Sequence, residues 1–430
     1  MKKSIVLALA ILVFGAILPV FQSRQLAGLQ DRHQKLTAEA AALGVSDPSS
    51  PRTLARQKRE NQVWAMEVKW ADFAEKMSLY EKKPYPTDGG YQERFGELLD
   101  GLGSMDDSRL RWLVAKVRED TKISHHTRSM FLIESIRKIS AAQPAMALEL
   151  YVRCADLIEQ GDQTPTLTQA LCNLAVSDAS AVAEWLRKNG EKYASHADEH
   201  SKSEVIGSVA ISDPALAFEI MKSQQFPQIF WLPLRVIIGT VENYPERRDP
   251  VLAALRHHLA GLSSDAEREK SRIAAIELFA ASLGNDPFDS ASDWISKSNF
   301  SAAEKALFAG SLPYEGTQEN TGRWIEWMAA NLPGESLAEP VKRLVGQWTR
   351  QDYQAAGAWL KDTPESLAKN VAVLTYATAV AAYEPQVAGQ WAMTLPAGPV
   401  RQETLSAIHQ NWPGSDPAGA AAFAREPGMQ

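Results

Sequence analysis

The stretch SHADEH, residues 195–200, places His196 and His200 four residues apart with two acids between them. On a helix, side chains at this spacing lie on one face, where two imidazoles can bind one metal ion. The order differs from the H-E-x-x-H motif of metalloproteases, and no third ligand stands near it in the sequence. We therefore interpret the stretch as a polar connector between helices, and we predict neither a metal ion nor a cofactor.

Three Glu-Ser pairs could supply a catalytic acid, because the superhelical lytic transglycosylases carry theirs in such a motif. The pairs begin at Glu134, Glu335 and Glu365, and none is followed by the Gly-Leu-Met-Gln-like segment of those enzymes. Glu335 and Glu365 follow LPG and TP, where an acid stabilises the amino terminus of a helix. The phosphate-binding and nucleophile-elbow motifs are also missing from the sequence. We predict no catalytic residue.

The two cysteines are Cys154 and Cys172. Two cysteines in a chain of 430 residues do not make a disulfide framework. They would lie on successive helices, so they could pair if the body of the protein is exported. The interpretation we favour is two small, buried apolar side chains, since free cysteine is among the most buried residue types. The sequence leaves the pairing open.

The length and composition of the chain exclude several classes of protein. The chain of 430 residues is too long for one ordinary hydrophobic core, so it forms several domains or an extended repeat array. Hydrophobic residues make up 45% and charged residues 23%, which is typical of a folded protein. The formal net charge is −7, without a basic stripe, so we predict no nucleic-acid binding.

The amino terminus reads MKKSIVLALAILVFGAILPVFQSRQ. Lys2 and Lys3 precede an uncharged apolar run over residues 5–21, which is near the lower length limit for crossing a bilayer. No A-x-A-like cleavage site follows it. We predict that residues 1–21 are an uncleaved signal-anchor, with residues 5–21 in the lipid and the rest exported. The alternative is a cleaved signal peptide and a soluble exported body.

Residues 22–85 are predicted to form a helical stalk. Apolar positions alternate by three and four over residues 26–43, which is a heptad seam of under three heptads. This seam predicts either a homo-oligomer through a short coiled coil or an amphipathic helix lying on the body. The stretch KKPYPTDGGYQ, residues 82–92, breaks the helical pattern, and we place the start of the main domain, residues 86–430, there.

A repeated pattern runs through that domain. RQDYQAAGAWLKDTP, AYEPQVAGQWAMTLP and GSDPAGAAAFAREP carry Asp352, Glu384 and Asp416 at intervals of 32 residues. Each is followed four residues later by alanine and three residues after that by Trp or Phe. Earlier copies, at intervals of 35 to 37 residues, start at Gln143, Asp178, Asp213, Asp249 and Asp286.

Each position of the repeat has a physical role. Asp before Pro predicts a helix start, because the carboxylate accepts from free amide groups and Pro fits the first helical position. The small residue permits close helix approach, and the large one packs beside it on the same face. The remaining residues of each copy predict a second helix. We therefore predict an all-α fold: a right-handed-type α-solenoid of helical hairpins with a period of about 32–37 residues. The tryptophans are predicted to be packing residues rather than a sugar-binding platform.

The units resemble the tetratricopeptide and HEAT-like class of helical repeats over roughly residues 105–430. They are most similar to uncharacterised bacterial envelope proteins built from DPxxAxxWLxxLP units, as in DYQAAGAWLKDTP at residues 352–364. The tetratricopeptide opening W-x2-L-G-x2-Y is not matched, so the peptide-binding residues of that family are not implied. The resemblance implies a scaffold and no chemistry.

We predict an inner-membrane, single-pass protein whose body lies in the periplasm and scaffolds protein–protein interactions through the concave face of the solenoid. The partner protein is unknown. One alternative is an envelope enzyme, a lyase or hydrolase acting on glycan, that uses the solenoid as a substrate clamp. Another is a purely structural spacer. Polar residues outside the repeat pattern that converge in one pocket would favour the enzyme, and a broad groove would favour the scaffold.

Overall fold

The computed structural model describes residues 107–224, 226 and 231–425, together with scattered residues and short runs between positions 31 and 78. Within these residues the regular elements are helices, and no strand occurs. The predicted all-α class is confirmed to that extent. The predicted signal-anchor and the boundary at residues 85 and 86 lie outside the described residues. Across the part that is described, no helix combines the length and the apolar character needed to cross a bilayer.

The chain divides into two compact units, one ending at Ser135 and one starting at Ile136. Helix α1 (Asp107–Glu119) belongs to the first unit, and the division falls within helix α2 (His125–Ala142). The core of the first unit contains Trp70, whose ring lies 5.0 Å from that of Phe131. The indole of Trp70 donates to Asp120 at 2.9 Å. The described residues of the predicted stalk are helical, and oligomerisation through residues 26–43 stays a prediction.

The second unit consists of helical pairs. The first helices of the pairs are α3 (Pro144–Cys154), α5 (Ala179–Asn189), α7 (Pro214–Ser223), α9 (Arg248–Ala260), α11 (Phe288–Lys297), α14 (Thr321–Asn331), α16 (Tyr353–Asp362), α18 (Pro385–Thr394) and α20 (Pro417–Phe423). The second helices are α4 (Gln160–Ser177), α6 (Glu199–Ser212), α8 (Leu232–Asn243), α10 (Asp265–Leu283), α12 (Ala302–Ser311), α15 (Gly334–Gln351), α17 (Leu367–Val380) and α19 (Pro399–Gln410). A one-turn helix, α13 (Tyr314–Thr317), and four 3-10 turns, Ala155–Leu157, Ala194–His196, Pro245–Arg247 and Gln318–Asn320, lie between them.

The second helices pack against one another in chain order, from α4 through to α19. Each such contact joins one pair to the next, so every pair shares its apolar surface mainly with its neighbours in sequence. The first helices make fewer contacts of this kind, as between α7 and α9. Neighbour-to-neighbour packing is the property that defines repeat proteins. The superhelical form of the predicted solenoid stays a prediction.

Four of the predicted helix starts are confirmed. The side chains of Asp178, Asp213, Asp352 and Asp416 each accept a hydrogen bond from the backbone amide three residues later, at 2.8–3.0 Å. A carboxylate at this position satisfies one of the free amides of the first turn and stabilises the helix by about 1 kcal/mol. The cap therefore marks the start of α5, α7, α16 and α20.

Asp249 and Asp286 are predicted as caps, and this prediction is wrong. Asp249 lies inside α9 and accepts from the indole of Trp294 at 2.7 Å. Asp286 pairs with Arg248, which is only 5% exposed and also donates to Ser290 Oγ at 2.9 Å. A buried guanidinium requires a counter-charge, and Asp286 supplies it instead of capping α11. The sequence pattern did not predict that Arg248 is buried and pairs with Asp286.

Gln143 and Glu384 stand at predicted starts without capping them. The helices after them, α3 and α18, begin with Pro144 and Pro385, but neither side chain bonds to the first turn. Pro alone favours the start because its fixed φ suits the first helical position. The side chain of Glu384 is instead bonded to the hydroxyl of Tyr353, which donates to Oε1 at 3.2 Å.

Aromatic residues of one repeat rest on glycines of the repeat before it. A Cβ added at Gly322 would lie 2.5 Å from the indole nitrogen of Trp359, and one added at Gly389 would lie 2.7 Å from the Phe423 ring. Glycine is required there because any larger side chain would separate the two helices. The predicted packing of a small residue against a large one therefore also occurs between neighbouring repeats.

Tryptophans join neighbouring repeats by hydrogen bonds as well. Trp327 donates to Ser296 Oγ at 2.8 Å, and Trp359 donates to Glu326 at 3.2 Å. Trp324 is 1% exposed and Trp327 is 7% exposed. These residues pack between helices, as the repeat pattern predicts, and a partly buried indole with a paired N–H is a stable arrangement.

Glu304 forms a charged link between α9 and α12. Arg256 donates to both of its carboxylate oxygens, at 2.5 and 2.8 Å, and the carboxylate is 5% exposed. Burial alone would raise the pKa of Glu304, but the bonds from Arg256 and from the Ser301 backbone outweigh it and hold the pKa below its usual value. A bidentate contact of this kind between a guanidinium and a carboxylate fixes the relative orientation of the two groups as well as their distance.

Candidate functional sites

The structure separates the two histidines singled out in the sequence. His196 ends the 3-10 turn Ala194–His196, whereas His200 lies in the first turn of α6. Asp198 stands between them as the cap of α6 and accepts from the Ser201 amide at 2.7 Å. The bonds from Ser201 lower the pKa of Asp198. His196 and His200 therefore do not lie on one face of one helix, as shared metal binding would require. In the described part of the chain, no group of three or more His, Cys, Asp or Glu side chains is placed to hold a metal ion.

His196 instead contacts Tyr151, a residue that the sequence reasoning missed. The phenol oxygen lies 2.7 Å from His196 Nδ1 and 3.3 Å from the carbonyl oxygen of Gln163. Burial raises the pKa of Tyr151 and lowers the pKa of His196, so both groups favour their neutral forms. The phenol donates to the Gln163 carbonyl, and the direction of the hydrogen bond between the phenol oxygen and His196 Nδ1 is set by which ring nitrogen of His196 carries the proton.

A Tyr–His pair could move a proton, but this one lies within aromatic packing. The ring of Tyr193 is 5.7 Å from that of Tyr151 and is stacked on Trp185 at 5.9 Å. Tyr193 also donates to the carbonyl of Val152 at 3.2 Å. Tyr151 has no exposed surface, so a substrate cannot reach its oxygen. The cluster joins the repeats that start at residues 143 and 178, and its geometry is that of a core.

The cysteines lie on successive helices, α3 and α4, as expected, and neither forms a disulfide. Cys154 is buried and donates through its sulfur to the carbonyl of Leu150 at 3.1 Å. Cys172 is half-buried, and burial raises the pKa of its thiol. A raised pKa leaves less thiolate, which is the reactive form. The arrangement matches that of packed thiols rather than of a nucleophile.

The Glu-Ser pairs lie at three unrelated places. In the first pair, Ser135 donates to the carbonyl of Phe131 at 2.6 Å within α2. Glu335 is the second residue of α15. Glu365 pairs with Lys369 at 2.8 Å just before α17. The last two lie at helix amino termini, where the sequence places them, and the structure brings none of the three together.

The Glu335 pair does line a cleft of about 610 Å³ between α12 and α15. Arg343 on its wall donates to the carbonyl of Leu312 at 2.5 Å and so closes the end of α12. Burial lowers the pKa of Arg343. Glu339 pairs with Lys342 at 3.0 Å. Histidine, tyrosine and cysteine are missing from the described residues that line this cleft, so it has no acid–base partner for Glu335.

A second cavity, which we call the tyrosine pocket, lies where two repeats meet at the carboxyl ends of α15 and α17. Its volume is about 420 Å³, and its lining comprises Thr349, Arg350, Tyr353, Ala379, Val380, Tyr383 and Glu384. Tyr353 is 40% exposed and Tyr383 is 84% exposed. Burial also raises the pKa of Tyr376, and the nearby Glu384 carboxylate acts in the same direction.

No protein-family model matches the chain, no curated protein matches it in sequence, and no solved structure matches it in fold. The resemblance to tetratricopeptide and HEAT-like repeats therefore rests on the sequence pattern alone.

Proposed function

We propose that the chain is a membrane-anchored α-solenoid of the bacterial cell envelope that scaffolds a protein–protein interaction. The packing of the second helices in chain order supports the solenoid part of the proposal. An array of this kind offers a long surface on which binding residues can be changed without altering the core. The observation that carries the proposal is the tyrosine pocket.

Both tyrosines depart from the repeat pattern. Tyr383 directly precedes a cap position, and no other copy has an aromatic residue there: the equivalents are Ala142, Ser177, Ser212, Arg248, Asn285, Gln351 and Ser415. Tyr353 directly follows a cap position, where the other copies carry Pro144, Ala179, Pro214, Pro250, Pro287, Pro385 and Pro417. Residues that the repeat does not need for packing, and that come together on the surface, indicate recognition of another molecule.

A spacer without a binding role is less well supported, because it predicts no distinctive surface. The glycan-acting enzyme is also less well supported. It would need a cleft that combines Tyr, His, Arg and an acid, whereas Tyr151 is inaccessible and the cleft beside Glu335 lacks a described Tyr or His. The tyrosine pocket contains Arg350 and Glu384 but no histidine among its described lining. It therefore suits binding better than proton transfer.

The anchor and the concave face belong to the same proposal. Residues 5–21 would hold the body at the inner membrane, and a partner would occupy the concave face as well as the tyrosine pocket. Membrane fractionation and determination of the mature amino terminus test the anchor. An intact Met1 in the membrane fraction supports it, and a mature chain that starts after residue 21 in the soluble fraction contradicts it.

The scaffold is tested by crosslinking the tagged full-length protein in cells and identifying the crosslinked residues by mass spectrometry. One partner recovered in a constant ratio, with crosslinks to the surface of residues 136–425, is the expected result. Crosslinks that join only lipid-embedded or unrelated abundant proteins, in ratios that vary between preparations, would contradict the scaffold.

A further inference from the structure

The tyrosine pocket has an apolar floor. Val380 is 4% exposed at its base, and Ala379 lies beside it. The rings of Tyr353 and Tyr383 stand above this floor and remain accessible to solvent. A cavity of about 420 Å³ is within the usual range for pockets that bind small ligands, and it can admit one bulky side chain. Burial of an apolar group between aliphatic and aromatic walls is favourable.

The two charged groups of the pocket are not equivalent. Glu384 accepts the hydrogen bond from the hydroxyl of Tyr353 at 3.2 Å, so one oxygen of its carboxylate already has a hydrogen-bond donor within the protein. Arg350 is exposed and makes no ion pair with any residue that the structure describes. The charge available to a ligand is therefore the guanidinium of Arg350, which favours a carboxylate.

A peptide fits these features better than a sugar does. A sugar ring places several hydroxyl groups in its site, and each buried hydroxyl needs a hydrogen-bond partner. Ala379 and Val380 supply no side-chain partner of that kind, and the buried hydroxyl of Thr349 already donates to the carbonyl of Val345 at 2.7 Å. A peptide needs only one apolar side chain for the floor and one carboxylate for the rim, while its backbone stays in water.

We infer that the tyrosine pocket binds a linear peptide segment that presents a bulky apolar side chain within one or two residues of an Asp, a Glu or a chain-terminal carboxylate. The inference rests on the proposed scaffold function and names the kind of segment that its partner offers. The apolar side chain inserts between Tyr353 and Tyr383 and contacts Val380. The carboxylate pairs with Arg350.

The test uses the full-length protein in detergent and a phage library of random dodecapeptides. Phage are selected on the wild-type protein after removal of those that bind the Tyr383→Ser variant. Enriched peptides are then synthesised with a fluorophore, and their binding is measured by anisotropy. Tyr383→Ser should not disturb folding, because the side chain is 84% exposed, and equal melting temperatures check this. Tyr244→Ser is the matched control, since Tyr244 is 38% exposed and also follows a second helix.

The expected result is enrichment of peptides that combine a large apolar residue with a nearby acid. Tyr383→Ser and Arg350→Ala should each weaken their binding by about tenfold, while Tyr244→Ser leaves it unchanged. Added salt should weaken the wild type more than Arg350→Ala, because the ion pair is screened.

Three results would overturn the inference. The first is no enrichment that depends on Tyr383, and the second is a set of enriched peptides without the acidic residue. The third is binding of an N-acetylglucosamine hexamer that Tyr383→Ser abolishes, since that assigns the pocket to glycan. If crosslinking finds a constant partner whose recovery is unaffected by Tyr383→Ser, the scaffold stands and the pocket inference falls. If neither a partner nor a peptide is found, both fail.

Discussion

The contact between Gly322 and Trp359 leads to a prediction about how one repeat docks on the next. In Gly322→Ala, the new Cβ would lie 2.5 and 2.6 Å from two atoms of the Trp359 indole. The indole is rigid, packs 5.7 Å from the Trp348 ring and donates to Glu326, so it cannot move without losing contacts. Overpacking of this kind costs about 1–3 kcal/mol. Removing a helical glycine returns about 0.5–1 kcal/mol. The middle of the two ranges gives a net loss of about 1 kcal/mol.

Hydrogen exchange with mass spectrometry is the suitable assay, because a repeat protein opens locally and need not unfold in one step. Amides of α14 and α16 should exchange about five times faster in Gly322→Ala than in the wild type. Gly239→Ala is the matched control. Its new Cβ would meet nothing within 4 Å, so exchange in α8 should become slower.

A double-mutant cycle isolates the contact. Trp359→Ala removes a half-buried indole and should itself speed exchange in α16. In that background Gly322→Ala has nothing to clash with, so its effect should vanish or change sign. Equal acceleration by Gly322→Ala with and without Trp359 would contradict a role for the Gly322–Trp359 contact, since the loss would then arise within α14 alone.

Further predictions concern charge, capping and thiols. The pKa of Glu304 is lower in the folded protein than in the unfolded chain, where it is about 4.3. Ionised Glu304 therefore stabilises the fold above the unfolded pKa, and this stabilisation is lost as the pH falls through the folded pKa. Glu304→Gln should therefore cost about 3 kcal/mol at pH 7 and flatten the fall in melting temperature between about pH 5 and 3. Asp213→Ala should speed exchange at the start of α7 by an amount equivalent to about 1 kcal/mol, and Gln143→Ala, which removes no cap, should leave α3 unchanged. Titration of denatured, unreduced protein should find two thiols per chain, with Cys172 reacting slowly before denaturation; thiols that appear only after reduction would contradict the structure.

The local part of the fold follows from the sequence, because each cap lies within three residues of the amide it binds. Asp213 and Asp352 could be assigned from the pattern alone. Asp286 could not, because its partner Arg248 is 38 residues away and buried. A local pattern cannot show that a distant guanidinium needs a counter-charge.

Local sequence patterns were equally unable to specify the candidate sites. The spacing of His196 and His200 favours one helix, but the capping side chain of Asp198 starts the helix between them. Tyr353 and Tyr383 are visible in the sequence as departures from the repeat. Their convergence depends on how two neighbouring repeats pack, which periodicity does not specify. A search for residues that violate a repeat at equivalent turns could have found them.

The most direct test of partner binding at the tyrosine pocket is photo-crosslinking from that pocket in cells. The photoreactive residue p-benzoylphenylalanine is placed at position 383, and at position 244 as the control. We predict one protein crosslinked from position 383 and not from position 244, through a segment that contains a bulky apolar residue beside an acid. Illumination that yields no protein adduct from position 383, or the same adducts from both positions, would contradict it.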